Sequence, residues 1–188
     1  MAFIVIYDAC VLYPESMRDL LVRLGQTDLV QAKWTEGILD EFIANLTGKR
    51  PDLKERLKRT RELMNEAVRD CLVTGHEKLI NGLTLPDPAD RHVLAAAIRA
   101  GAQVIVTYNL KDFPETALAE YGIEAQHPDT FVYHLITLAP PRIAQVVREM
   151  AEQFKNPPKS VDEVLDALEH RELVQSVAEL RKLLLSAG

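Results

Sequence analysis

The sequence predicts an α/β protein with a central parallel sheet, helices on both of its faces, and a small helical extension at the C-terminal end. Two apolar runs of strand length, Phe3–Tyr7 and Gln103–Thr107, are separated by helical periodicity, the alternation from which parallel sheets are built. After about residue 134 no strand pattern remains. At 188 residues the chain can form one full core plus an appendage, so the expected division is 1–133 and 134–188.

The elements follow in order. Residues 3–7 are β-branched and aromatic and stop at Asp8. Pro14 and Glu15 open a helix with Met17, Leu20, Leu21 and Leu24 at helical spacing, closed by Gly25. A short strand is expected within Leu29–Trp34, and Thr35 is placed to cap a helix whose stripe is Ile38, Leu39, Phe42, Ile43 and Leu46. Pro51 and Asp52 start a basic helix, and residues 72–86 read as irregular. Asp87 is a good N-cap, with Pro88 at the first position of a helix that runs to Ala100 and is closed by Gly101. After the strand 103–107 come a short helix near 114–121 and a short strand near 123–125. In the extension, Pro140 leads one helix, Ser160 with Glu163 forms a capping-box signature for the next, and Leu173–Leu184 carries the stripe of a last one.

Composition excludes several classes. Apolar residues make up 47% and charged residues 27%, ordinary globular values. No apolar run of about 20 residues is present, and the first apolar run is short and lacks a preceding basic region, so no membrane association and a cytoplasmic location are expected. Cys10 and Cys71 form no CxxC pair and read as small buried apolar residues. The net charge of −6 argues against a general nucleic-acid coat. Locally, however, Lys49–Arg61 carries seven basic residues against Asp52 and Glu55, a patch able to hold phosphates. Lys49, Arg50, Lys54 and Lys58, with Arg91, are the candidate nucleic-acid contacts; the bland alternative is a solvated helix face.

Four acidic positions stand out: Asp8, Glu41, Asp90 and Asp112, with Asn109 beside the last. Asp8 and Asn109 lie just past strand ends, where open α/β sheets bind ligands. Asp90 heads the inward stripe of Val93, Leu94, Ala97 and Ala100, whereas Arg91, His92 and Arg99 point away from it. Asp40 and Glu41 flank their stripe at similar angles, so periodicity does not choose between them. Asp112 alone fits an Asn/Asp turn. Together the four form a carboxylate pocket that is costly unless a divalent cation fills it. Oxygen donors of this kind suit Mg²⁺ or Mn²⁺, and no His/Cys set has zinc spacing.

These segments give the chain a family likeness. The strand ending in Asp8, Ile38-Leu39-Asp40-Glu41-Phe42, Asp87–Ala97 and Val104–Phe113 resemble PIN-domain ribonucleases, in particular VapC-like toxins of toxin–antitoxin pairs. The likeness covers about residues 1–130. It implies a three-layer α/β/α fold and metal-dependent cleavage of single-stranded or structured RNA. It selects Glu41 over Asp40, and takes Asp8 and Asp90 as principal ligands. Glu41 and Asp112 would then complete the site or position the nucleophile. Many relatives have an aspartate where Asn109 stands, so Asn109 and Asp112 are both retained. A small VapB-like antitoxin partner is also implied, and the extension offers a surface for pairing with a second copy. The rival reading is a catalytically degenerate PIN-like module that binds RNA or protein. Other Mg²⁺ enzymes fit less well: a phosphatase wants a second aspartate where Cys10 stands, and no GxGxxG, GxxxxGK or GxSxG sequence is present.

Overall fold

The computed structural model describes residues 2–185. Its sheet has four parallel strands: β1 (Phe3–Tyr7), β2 (Val30–Lys33), β3 (Val104–Val106) and β4 (Glu124–Gln126), in the order β2–β1–β3–β4. Central β1 pairs Val5 with Ala32 on one side and with Val104 on the other. From β1 the chain first builds outward to β2, then crosses to β3 and β4 on the opposite side. The strand order therefore reverses between β1 and β3, and the carboxyl ends of those two strands bound the crevice where such sheets take ligands.

The helices form where the sequence places caps and stops. Asp8 caps the single turn α1 (Ala9–Leu12), and α2 (Glu15–Gly25) follows Pro14. The Thr35 hydroxyl accepts from Ile38 N–H and starts α3 (Glu36–Lys49). A 3₁₀ turn, Pro51–Leu53, leads into the basic α4 (Lys54–Ala67). Residues 72–86 are more ordered than expected. They contain α5 (Glu77–Ile80), and Cys71–Val73 extends the sheet edge beyond β2: Trp34 N–H donates to Cys71 O and Val73 N–H to Trp34 O, both at 2.9 Å. Asp70, with φ of 52°, makes the turn into that bridge.

Asp87 accepts from Ala89 N–H, and Pro88–Asp90 forms a 3₁₀ turn, so α6 (Arg91–Ala100) starts directly after Asp90. Ala95, Ala96 and Ala97 are fully buried, and their small side chains let α6 lie close against β1 and β3. After β3 come α7 (Glu115–Leu118) and β4, then α8 (Pro128–Leu138). Phe131, Val132, Leu135 and Ile136 form one buried stripe along α8, which carries the helix without interruption through the expected division at 133/134.

The extension continues as α9 (Pro140–Glu152), α10 (Val161–Glu169) and α11 (Val174–Leu185); its last residues, 186–188, lie outside the described residues. The Ser160/Glu163 capping box is formed. Helices α9 and α10 pack on α2, and α11 packs on α8. The carboxylate of Asp129, in the first turn of α8, accepts the N–H groups of Gln175 and Ser176 and so caps α11 from outside. At the centre of the core, Tyr7 stacks on Trp34, meets Phe131 edge-on, and donates its hydroxyl to Leu21 O. One residue of β1 thus ties α2, α8 and the residue just past β2 together. Among the described residues no helix is long and apolar enough to cross a membrane.

Packing of α2 on β2 depends on Gly25, since a Cβ there would stand 2.8 Å from the Ala32 Cβ and 3.3 Å from Val68. Ala32 is a strand residue with no flexible side chain to withdraw. Gly25→Ala is expected to destabilise the fold by about 1–3 kcal/mol, read as a lower urea midpoint at unchanged slope.

Candidate active site

Asp8 ends β1 and is 4% exposed. Its N–H donates to Val106 O at 3.1 Å, fixing it beside the end of β3. Every oxygen of its carboxylate is engaged. Oδ1 accepts from Ala9 N–H at 2.7 Å, and Oδ2 accepts from the Thr107 hydroxyl at 2.8 Å and the Cys10 thiol at 3.2 Å. Burial pushes the Asp8 pKa up, the Thr107, Cys10 and Ala9 hydrogen bonds hold it down, and the charge of Glu41 raises it further.

Asp90 sits at the entrance to α6. Its pKa is pushed up to about 6, first by burial and then by the charges of Asp8, Asp87, Asp112 and Glu41. The four charges that raise it are all carboxylates. Acids from four separate segments are therefore near neighbours electrostatically, although they are up to 104 residues apart in sequence, from Asp8 to Asp112. Asp112 enters through a 3₁₀ turn, Leu110–Asp112, with its N–H donating to Asn109 O. Asn109 N–H donates to the Thr107 hydroxyl at 3.0 Å, while its side chain is exposed and makes no hydrogen bond with another described residue.

The neighbours Asp40 and Glu41 part company on α3. Asp40 pairs with Arg61 of α4, which also holds Glu36. Glu41 instead turns toward the acids, and its Oε2 lies 3.4 Å from His92 Nε2. This corrects the expectation for His92: it sits at the flank of the α6 stripe, and its ring is long enough to bridge to α3. Cys10 corrects a second one. It is not a plain apolar filler, since its sulfur donates to Asp8 and accepts from Tyr108 N–H at 3.3 Å. Burial and the adjacent Asp8 charge push the thiol up to about 12, so it stays protonated and able to donate. The available signal was its position two residues beyond Asp8, within the turn that Asp8 caps.

The donor set suits a hard divalent cation, being rich in carboxylate oxygens that repel one another without an opposing charge. Among the described residues, no three His, Cys, Asp or Glu side chains converge closely enough to hold an ion as they stand. Surface hollows of about 310 and about 530 Å³ lie elsewhere, the first beside Leu94 and Tyr121 and the second beside Arg148 and Phe154.

The candidate nucleic-acid contacts are partly committed within the fold. Arg50 pairs with Asp52, and its neighbours Arg56, Arg59 and Arg61 pair with Glu15, Glu62 and Glu36. Lys49 lies over the Tyr13 ring, and Arg91 donates back to Pro88 O. Lys54 and Lys58 make no ion pair with another described residue. The basic run is thus largely neutralised by exposed pairs, each of which is weak and exchangeable.

Residues 4–111 match the family model described as the PIN domain, and residues 128–182 match the one described as the VapC50 C-terminal domain. The chain is 44% identical over 94 residues to a Mycobacterium tuberculosis protein named "Putative ribonuclease VapC50"; the match covers 50% of this chain and 55% of that protein, so the chain spans about half the length of the curated relative it matches. No solved structure matches the chain.

The raised pKa of Asp90 has a definite linkage. The folded state binds a proton at Asp90 more tightly than the unfolded chain does, so this contribution is favourable below pH 4 and is lost as pH rises through about 6. In EDTA, the wild type is expected to gain stability as pH falls from 7 to 5. Asp90→Asn should remove that component and raise stability at pH 7 by on the order of 1 kcal/mol after solvent screening. Denaturation midpoints across pH check both.

Proposed function

The chain belongs to the PIN domain family, and on that footing we propose that it is a metal-dependent endoribonuclease, the toxin of a toxin–antitoxin pair. The observation that supports the reading is that Asp8, Glu41 and Asp112, from three other segments, each act on Asp90 beside the sheet's switch point and raise its pKa. The matched stretch of a relative named as a ribonuclease supports it.

In this reading Asp8 and Asp90 hold Mg²⁺ or Mn²⁺, and Glu41 and Asp112 complete the set. When bound, such a cation supplies Lewis acidity for phosphodiester hydrolysis and offsets the charge that builds on the phosphate. The chain's own groups do the positioning. Thr107 and Cys10 lock the Asp8 carboxylate from one side and Ala9 N–H from the other, so its orientation requires no reorganisation during reaction. His92 restrains Glu41. The exposed Asn109 amide, the neutral residue of the set, can donate to a phosphate oxygen without adding charge. Water attacks phosphorus, the bond to the leaving ribose oxygen breaks, and that oxygen takes up a proton.

In this proposal residues 1–133 form the nuclease unit and residues 134–188 the helical extension, with α8 running continuously across the junction. The partner is a small VapB-like antitoxin, and exposed Leu63 on α4 supplies apolar surface among the early helices for it. A second reading, a PIN-like binding module that does not cut, draws on neutral Asn109 and on the absence, among the described residues, of three converging ligands.

End-labelled single-stranded RNA separates the two. Wild type is expected to cut with Mg²⁺ or Mn²⁺, to stop in EDTA, and to lose at least about a hundredfold in rate as Asp8→Asn. Protein purified from its native operon should carry a small second chain and stay silent until stripped of it. A folded, partner-free wild type that never cuts would favour the binding module.

A further inference from the structure

The turn joining α10 to α11 lies against the carboxyl edge of the sheet. The Tyr108 hydroxyl donates to Arg171 O at 2.8 Å. Tyr108 stands between Thr107 and Asn109, and its N–H donates to the Cys10 sulfur that holds Asp8. His127, which directly follows β4, lies 3.1 Å from the Glu172 carboxylate, and its ring meets Tyr108 edge-on at 5.3 Å between centroids. Two tethers, one past the end of β3 and one past the end of β4, therefore fix this turn. Glu172 has φ of 68°, a conformation rare for a side-chain-bearing residue, and the next residue, Leu173, is fully buried. The turn is held from both directions.

Arg171 projects from it. The side chain is exposed and makes no ion pair or hydrogen bond with another described residue, unlike Arg50, Arg56, Arg59 and Arg61. Its charge reaches the edge: burial and the charge of Glu172 push the Tyr108 hydroxyl up in pKa, and Arg171 opposes them. A fixed cation at the same edge as clustered carboxylates lowers the repulsion that an approaching polyanion meets outside the metal site itself. Glu172 is engaged by His127, which leaves Arg171 as the cation the turn offers outward.

We infer that Arg171 contacts the RNA backbone beside the acidic site, so that the C-terminal helices supply a substrate-binding group to the nuclease unit. The inference rests on the ribonuclease reading above, and binding and cleavage arms separate the two. In the binding arm, full-length Asp8→Asn protein is titrated with a fluorescein-labelled single-stranded oligouridylate over a range of salt concentrations. Adding Arg171→Ala should weaken binding by on the order of fivefold and lower the slope of log affinity against log salt by about 0.7, the share of one single-strand phosphate. Arg171→Lys should restore most of both, and melting temperature should not move. In the cleavage arm, Arg171→Ala in the wild-type background should raise KM. Unchanged affinity and slope in Arg171→Ala, or loss of binding accompanied by loss of folding in Arg171→Ala but not Arg171→Lys with no slope change, overturns the inference. A wild type that binds through Arg171 but never cuts overturns only the nuclease reading, and one that binds no RNA overturns both.

Discussion

The fold brings like charges together around Asp8, which hydrogen bonds rather than a countercharge hold in place. Asp8 is nearly inaccessible and keeps its place through three donors from Ala9, Cys10 and Thr107. Those donors exist because β1 and β3 lie side by side, with the Asp8 N–H on Val106 O. Asp90 is less buried, but it sits where the α6 stripe presses against the same two strands. The result is an acidic edge whose repulsion an added cation would relieve.

Much of this was legible in the sequence because the deciding signals are local. An apolar run ending at Asp8, the Thr35 cap, the Asp87-Pro88 start and the Gly101 stop each act within a few residues, and each stands where expected. The family likeness selected Glu41 over Asp40 among the acids that strand ends and the α6 stripe had singled out. What local reading could not give depends on partners far along the chain. Asp40 and Glu41 have equal angles on α3, and they are told apart by Arg61 and His92, which approach from α4 and α6. Cys10 looks apolar until β3 brings Tyr108 N–H to its sulfur. The bridge at Cys71–Val73 is too short to show an alternating pattern, and a composition change near 134 does not interrupt α8, whose buried stripe is continuous.

The C-terminal helices are built into the sheet domain by specific polar contacts as well as apolar packing. Asp129 caps α11, Gln153 bridges Asp19 and Arg23 of α2, and Tyr108 holds the α10–α11 turn. The last of these places the extension at the same edge as the acids. A region that shares no motif with the acidic set is thereby connected to Asp8 through Tyr108 and Cys10, by a chain of three hydrogen bonds.

The gathered carboxylates are proposed to hold a divalent cation. Calorimetric titration of Mn²⁺ into the full chain, wild type against Asp90→Asn at pH 7, tests this most directly. Saturable binding by the wild type is expected, lost or greatly weakened in the variant, with both proteins folded. Equal binding by the two, or none by either, would contradict the proposal.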